Sequence, residues 1–340
     1  MESVNGKSNA VSINSRNFPS IKLLSQKKIT NEYIVNSAVN NQVQAQLAVV
    51  LTTNEVLHWD IINQVKLLSI KGHGKSITGI KFSTETPSVL FTGSLDGQIH
   101  VWDLRSSASP VQTFSDDSDG PLKPFTCFDL NLDEKFLCAG TELIRDDSFI
   151  IFWDRRTSKS FGGYWNSHTD EITHVEFSST CNSSVATASL DCLINIFDLT
   201  QSTEDDALVN TLNTEASVIK FTWGTDDHIS CITGNEDYQF WSAEQTKPLL
   251  LKTRDDISLD SESKIDCLIN TFQASQSFYL AAGTYHGSVQ LYCQKGKHLK
   301  SVGLLADGHT DVVRTISYNK GHCLVTGGED GQICTWKICL

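Results

Sequence analysis

The sequence LFTGSLDGQIHVWDLR, residues 90–105, decides the fold of this chain. It begins with an apolar pair, continues through small residues to a turn at Asp96, and ends in alternating apolar residues with Trp102 and Arg105. Apolar alternation on both sides of an Asp-Gly pair predicts two short strands joined by a tight turn. The stretch therefore builds a β-hairpin, and its recurrence along the chain indicates the architecture.

Aromatic residues at the position of Trp102 recur with nearly constant spacing. Successive spacings are 43, 51, 44, 44, 51 and 44 residues, for Trp59, Trp102, Trp153, Phe197, Trp241, Tyr292 and Trp336. Each of these seven units has the pattern of four short strands bounded by Gly, Asp and Ser turns, and none contains a convincing helix. Gly-His or Ser-His pairs, which end at His73, His168 and His309, open three of the units.

A period of about 40–45 residues with four strands and a Gly-His to Trp-Asp signature is typical of the WD-repeat β-propeller. The chain resembles that family over nearly its whole length, which implies an all-β, seven-bladed WD-repeat β-propeller. The last unit supplies three strands, and residues 18–26 form an unassigned alternating segment. We expect this N-terminal strand to complete the last blade and close the ring, because it would cover an open sheet edge. Residues 18–340 are then one propeller and residues 1–17 a flexible segment.

The resemblance also implies a buried hydrogen-bond network in some blades. A buried indole and imidazole both need partners, and a turn Asp can hold the His in one tautomer. The implied members are His73, Thr92 or Ser94, Asp96 and Trp102 in the second unit; His168, Thr187 or Ser189, and Asp191 in the fourth, where Phe197 replaces the indole; and His309, Thr326, Asp330 and Trp336 in the seventh. A set of His, Asp and hydroxyl groups also has the composition of a catalytic triad, but its recurrence in structural repeats favours a structural role.

Composition, charge and the absence of certain motifs argue against several classes of function. The net charge is −13, from 27 basic and 40 acidic residues, which disfavours direct binding to nucleic acid or to anionic membranes. No secretory signal and no apolar run of about 18 residues is present, so we expect a nuclear or cytoplasmic protein. The ten cysteines are scattered without a C-x-x-C pair, which predicts buried, reduced thiols and no metal site. No nucleotide-binding loop or other cofactor motif is present either.

A closer resemblance lies in LCAGTELIRDDSFIIFWDRR, residues 137–156, and in the runs that follow it. Over roughly residues 45–340 the chain resembles the WD-repeat-containing protein 89 family, which carries no assigned enzymatic activity. The leading hypothesis is a non-catalytic protein-interaction scaffold, a monomeric module within complexes. A propeller enzyme is the alternative from another class, but the first-strand positions are mostly apolar and predict no cluster of acids and bases in the central channel.

Two arginines suggest a more specific function. Residues 90–105 resemble a box in substrate receptors of the cullin-4 ubiquitin ligases, and the pattern W-D-x-R ends at Arg105 and again at Arg156. The resemblance implies that both arginines contact the damaged-DNA-binding-protein adaptor, since a guanidinium suits bidentate pairing with a carboxylate. Local pairing with the preceding Asp is the competing interpretation.

The acidic loops offer a further alternative. Residues 115–120, 203–207 and 254–266 concentrate negative charge. These loops either connect strands in solvent or recruit a basic partner such as a histone or nucleosome. Binding of the second kind would weaken steeply with salt.

Overall fold

Antiparallel four-stranded sheets follow one another along the chain in the computed structural model, which describes residues 21–40, 46–106, 109–118, 120–259, 261, 264–319 and 323–338. Within these residues there are seven sheets, each of which is one blade. The predicted flexible segment 1–17 lies outside the described residues.

Each blade takes its strands consecutively from the chain, except the seventh, which also uses the first strand. The strands are β1 (Lys22–Lys28); β2 (Ile34–Val39), β3 (Gln46–Leu51), β4 (Val56–Asp60) and β5 (Val65–Ile70) in blade 1; β6 (Ile77–Phe82), β7 (Val89–Ser94), β8 (Ile99–Asp103) and β9 (Gln112–Phe114) in blade 2; β10 (Phe125–Leu130), β11 (Phe136–Thr141), β12 (Ile150–Asp154) and β13 (Ser160–Tyr164) in blade 3; β14 (Ile172–Phe177), β15 (Ser184–Ser189), β16 (Leu193–Asp198) and β17 (Leu208–Asn213) in blade 4; β18 (Val218–Trp223), β19 (His228–Thr233), β20 (Asp237–Ser242) and β21 (Leu250–Thr253) in blade 5; β22 (Cys267–Ala274), β23 (Ser277–Gly283), β24 (Val289–Lys295) and β25 (His298–Leu305) in blade 6; and β26 (Val313–Asn319), β27 (Cys323–Gly328) and β28 (Gln332–Lys337) in blade 7.

The first strands of the blades contact one another in a closed circle, from β2 through β6, β10, β14, β18, β22 and β26 back to β2. This arrangement confirms the seven-bladed propeller. The predicted ring closure is also confirmed, because β1 pairs antiparallel with β28 and places Lys28 opposite Gln332. At the opposite edge of the sheet, the Ser37 hydroxyl of β2 lies 2.6 Å from that of Thr315 on β26, which joins blade 1 to blade 7.

Burial explains why the middle strands tolerate so few polar residues. The second and third strands of a blade, such as β7 and β8, are buried along most of their length because neighbouring blades cover both faces. The seven repeat aromatics all lie in third strands, and none is more than 8% exposed. Burying one large apolar side chain contributes about 1.5–3 kcal/mol, so the repeated aromatic is a principal stabilising contact between successive blades.

A bulge interrupts the first strand of every blade, after its first residue in six blades and after its second residue in blade 6. In blades 2, 3 and 4 the bulged residue is Thr78, Thr126 or Thr173. Each of these hydroxyls reaches a backbone carbonyl of the following blade, as in the 2.8 Å bond from Thr78 to the Phe125 carbonyl. The bulge therefore aims a side chain at the next blade and links the two sheets.

Two short helices depart from the all-strand prediction. They are α1 (Glu204–Ala207), between β16 and β17, and α2 (Arg254–Leu259), after β21. Thr203 caps α1 by accepting a 3.2 Å bond from the Asp206 backbone N–H. Acidic residues in the first turn stabilise both helices, because their negative charges are attracted to the positive end of the helix dipole. Two of the three acidic loops, 203–207 and 254–266, thus contain helical turns that strand alternation does not predict.

Candidate functional site

Blade 2 assembles its four predicted network residues around one hydroxyl. His73 Nδ1 lies 2.9 Å from an Asp96 carboxylate oxygen, and His73 Nε2 lies 2.7 Å from Thr92 Oγ1. The indole N–H of Trp102 donates to the same Thr92 oxygen at 2.9 Å. The donors and acceptors balance when Nδ1 carries the imidazole proton and the Thr92 hydroxyl donates to Nε2. The network ties the loop before the first strand to the turn between the second and third strands.

Blade 7 repeats this arrangement. His309 Nε2 lies 2.8 Å from Thr326 Oγ1, which accepts a 2.9 Å bond from the indole of Trp336. His309 Nδ1 lies 3.2 Å from both oxygens of Asp330, and one of these oxygens accepts the Thr310 backbone N–H at 3.0 Å.

The two hydroxyl candidates that the sequence left open have different roles. Thr92, not Ser94, joins the histidine and the indole. Ser94 donates to a backbone carbonyl and accepts the Asp96 backbone N–H, both at 3.1 Å. Ser189 makes the same two bonds beside Asp191 in blade 4. The serine therefore shapes the turn that carries the aspartate.

Blade 4 keeps the network without an indole. His168 lies 2.9 Å from Asp191 and 2.8 Å from Thr187, while Phe197 fills the aromatic position. Asn195 also contacts this network. Its amide nitrogen lies 3.5 Å from His168 Nε2 and donates to a loop carbonyl at 2.6 Å. Sequence reasoning missed this asparagine because the repeat signature has no fixed polar residue two positions before the aromatic.

The three networks are closed to substrates. The side chains of His73, His168 and His309 are at most 1% exposed. Burial alone would raise the pKa of Asp330, but hydrogen bonds from His309 and the Thr310 backbone hold it at about 2. The same balance lowers the pKa of Asp191. These carboxylates are ionised acceptors that orient the imidazoles, as a structural role requires.

Two blades without the early histidine provide other acceptors for the indole of the repeat tryptophan. The indole of Trp153 donates to the Ser115 carbonyl at 3.2 Å, and that of Trp241 donates to the Gln239 amide oxygen at 3.0 Å. These two indoles therefore have replacement acceptors, although the buried Trp223 indole N–H and Tyr238 hydroxyl of blade 5 have no hydrogen-bond partner among the described residues.

The two W-D-x-R arginines occupy equivalent turns after β8 and β12. Arg105 donates through Nε and Nη2 to the two oxygens of Asp103 at 3.0 and 2.8 Å, and Arg156 makes the same bidentate pair with Asp154. These bonds from arginine lower the pKa of each aspartate to about 2. The arginine side chains are 71% and 76% exposed. Local pairing is thus present in both turns, and both guanidinium groups face solvent.

The central channel holds charged groups that the sequence interpretation did not anticipate. Lys81 pairs with Asp129, and His174, Glu176 and Lys220 line the same cavity of about 350 Å³. Burial, reinforced by the Asp129 charge, raises the pKa of Glu176 to about 8, and burial together with Lys220 lowers that of His174 to about 4. The expectation of an apolar first-strand surface is therefore wrong at the channel. The bulge changes which positions of each first strand face the axis, so alternation alone did not reveal them.

Part of the acidic-loop charge is engaged internally. Asp116 is buried and pairs with Lys123 at 2.6 Å. Glu204 accepts the backbone N–H of Trp165 at 3.0 Å and that of Asn166 at 2.8 Å. Histone or nucleosome binding through these loops stays a prediction.

The described cysteines are all free thiols. Cys181 is exposed, and Cys192, Cys267 and Cys323 are only partly buried, so the expectation of buried thiols is wrong for these four. Among the described residues, no group of three or more His, Cys, Asp or Glu side chains is placed to hold a metal ion. Within that same part of the chain, no helix is long and apolar enough to cross a membrane.

Comparison with known proteins agrees with the geometry. The WD domain, G-beta repeat family matches residues 64–103, 160–198 and 299–337. Each segment contains the last strand of one blade and the first three of the next. These are the segments that carry the three histidine networks. WD-repeat propellers are protein-interaction scaffolds and are generally non-catalytic.

Individual WD-repeat proteins are also similar to this chain over more than half of its length. An uncharacterized WD repeat-containing protein of Schizosaccharomyces pombe is 28% identical over 82% of this chain and 89% of its own length. The WD repeat-containing protein 89 homolog of Dictyostelium discoideum is 25% identical over 82% of this chain and 76% of its own length. DNA damage-binding protein 2 of Danio rerio is 24% identical over 57% of this chain and 38% of its own length. The chain therefore forms a seven-bladed β-propeller with three segments that match the WD repeat, and it is similar to WD repeat-containing protein 89.

Proposed function

We propose that this propeller is a substrate receptor of a cullin-4 ubiquitin ligase and binds the ligase adaptor through the turns that carry Arg105 and Arg156. The observation that carries the proposal is the presence of two equivalent, exposed W-D-x-R turns on neighbouring blades. Similarity to DNA damage-binding protein 2 over part of the chain supports the same assignment. Such a receptor acts in the nucleus or the cytoplasm.

The arginines are pre-organised for recognition. Each guanidinium uses Nε and Nη2 on its own aspartate, which leaves N–H groups of Nη1 and Nη2 for a partner carboxylate. An aspartate that fixes the long side chain also reduces the conformational entropy lost on binding. An exposed ion pair of this kind contributes little to folding stability. We therefore assign the shared geometry of the two turns to binding.

Blade 4 shows that the turn forms without arginine. Thr200 occupies the equivalent position, and its backbone N–H and hydroxyl bond to Asp198 at 3.0 and 2.9 Å. The backbone bond is common to Thr200, Arg105 and Arg156, and the threonine hydroxyl takes the place of the guanidinium bonds to the preceding aspartate. This gives a substitution that removes the guanidinium and preserves the turn.

The decisive experiment measures binding of the purified damaged-DNA-binding-protein adaptor to the wild type and to the double variant Arg105→Thr/Arg156→Thr. We expect the double variant to lose at least about tenfold in affinity, which corresponds to about 1.4 kcal/mol. Arg314→Thr is the matched control, because the Arg314 side chain is 52% exposed and paired with an acidic side chain but lies on β26. Equal affinity of the double variant and the wild type would refute the proposal.

A further inference from the structure

A second surface lies at the rim of the propeller, between β13 and the connection that carries α1. It is a groove of about 600 Å³. We propose that this aromatic groove binds an extended segment of a partner protein in which a basic residue adjoins a large apolar residue. Its principal lining residues are Phe136, Phe161, Tyr164, Trp165, Glu204 and Asp205.

Trp165 is the first observation in favour of a binding role. All seven tryptophans lie within the described residues, and six of them are at most 8% exposed, whereas Trp165 is 55% exposed. Phe161 lies on the edge strand β13, which ends one residue before Trp165, and is 59% exposed. Exposed aromatic side chains that cluster in a groove are typical of binding anchors, since tryptophan is enriched among residues that dominate interface energetics.

The aromatic wall is continuous with the core. The Phe161 ring lies 5.6 Å from that of Phe136 and 6.2 Å from that of the buried Phe152. Phe152 in turn packs edge-on against Tyr164 at 5.1 Å. The exposed Phe161 ring therefore rests on a fixed neighbour. A partner that binds here loses little of its affinity to ordering this side of the interface.

Glu204 holds the other wall in place. Its carboxylate accepts the backbone N–H groups of Trp165 and Asn166 and the hydroxyl of Ser167. It thereby anchors α1 to the end of β13 and fixes the backbone from which the Trp165 side chain projects. Asp205, the next residue, is exposed at the rim. The groove is thus formed by two blades together.

The negative charge of the groove favours a basic partner segment. The lining residues, all within the described part of the chain, include two carboxylates, from Glu204 and Asp205, and no Lys, Arg or His. A basic side chain is attracted by these carboxylates and also by the faces of the aromatic rings, through cation–π contact. A neighbouring apolar side chain fills the remaining aromatic surface. An acidic segment would meet repulsion.

This inference goes beyond the proposed function and does not depend on it. Neither Arg105 nor Arg156 lines the groove. Adaptor binding and groove binding can therefore be removed by separate substitutions.

The test uses four fluorescein-labelled decapeptides with the intact chain. Their centres are Arg-Leu-Phe-Arg, Glu-Leu-Phe-Glu, Ser-Leu-Phe-Ser and Arg-Ser-Ser-Arg. Anisotropy should show binding of the first at least about tenfold tighter than any other. Acrylamide quenching provides a second readout: the first peptide should protect the exposed fluorescence of Trp165 in the wild type.

Substitutions then locate the site. Trp165→Ala and Phe161→Ala should each weaken binding of the basic peptide about tenfold or more. Tyr285→Ala is the matched control, because Tyr285 is 61% exposed on blade 6, and it should leave binding unchanged. Asp205→Lys should weaken the basic peptide and strengthen the acidic one. It keeps both aromatic side chains, so it tests the charge independently of any loss of folding.

Each contrary result overturns the inference. It fails if none of the four peptides binds, if the acidic peptide binds as tightly as the basic one, or if Tyr285→Ala is as damaging as Trp165→Ala. Adaptor binding should survive Trp165→Ala. Loss of adaptor binding in Trp165→Ala would show that the groove is part of the adaptor interface. Loss of adaptor binding only in the arginine double variant would show that the two sites are separate.

Discussion

Thr92→Val provides a quantitative test of the histidine network. Valine has nearly the same shape as threonine but lacks the hydroxyl. In the wild type the Thr92 oxygen lies 2.7 Å from His73 Nε2 and 2.9 Å from Trp102 Nε1. Thr92 is fully buried and Trp102 is 1% exposed, so water cannot replace the lost partner. The variant leaves two buried nitrogen atoms without hydrogen bonds.

Blade 4 supplies an internal comparison for the magnitude. A buried polar group that loses its partner costs about 1–3 kcal/mol, so Thr92→Val should lower the free energy of unfolding by about 2–6 kcal/mol. Thr187→Val removes only the bond to His168, because Phe197 has no donor, and should cost about 1–3 kcal/mol. Asn195, 3.5 Å from His168 Nε2, can supply part of the missing contact. The difference between the two variants measures the indole contribution.

Urea unfolding followed by tryptophan fluorescence measures both variants against wild type at equal m-value. Thr169→Val is the control, since Thr169 is exposed in the loop beside His168, and it should change stability by less than about 0.5 kcal/mol. Equal losses for Thr92→Val and Thr187→Val would refute the assignment of a shared hydroxyl to the indole. No loss in either would refute the network as a stabilising feature.

Three further predictions concern the channel, a close contact and a network carboxylate. Glu176→Gln should raise the free energy of unfolding near neutral pH. Burial raises the pKa of Glu176 from 4.5 to about 8, so wild-type stability falls as pH rises between those values. The free energy of unfolding, measured with urea at several pH values in that range, should vary less with pH in the variant. Gly308→Ala places a Cβ inside van der Waals contact with the Trp336 ring and should cost about 1–3 kcal/mol in thermal unfolding, whereas Gly74→Ala, with nothing within 4 Å of its Cβ, should not. Asp330→Asn should lower the free energy of unfolding above pH 3.8. Burial alone would raise the pKa of Asp330, but the network hydrogen bonds lower it to about 2, so wild type loses stability as pH falls from 3.8 toward about 2 and the variant should not. An equal dependence of the free energy of unfolding on pH in both proteins would contradict this prediction.

Most of the blade structure was predictable because it is local and repeated. Trp102 and its six counterparts mark the third strands, and the Asp96 turn marks the hairpin before them. A two-residue alternation and a fixed period survive sequence drift, since each blade must bury the same faces against its neighbours. The closing strand was predictable for a related reason, because three strands in the last unit leave an edge that β1 can cover.

The functional surfaces were less predictable because they join distant parts of the chain. The aromatic groove combines Trp165 on blade 3 with Glu204 on the connection of blade 4, and no sequence pattern relates the two. The choice between Thr92 and Ser94 also depended on the structure, since both lie in β7 and only the three-dimensional position of His73 distinguishes them.

The sequence by itself determined the number of blades, their strands, the strand that closes the ring and the residues that can form the histidine networks. The tertiary structure decided which side chains meet at the axis and at the rim. Lys81, Asp129 and Glu176 lie about one repeat apart in the chain and converge only when the ring closes. Hydrophobic periodicity encodes burial within each blade, whereas convergence between blades depends on the curvature and bulges of the assembled ring.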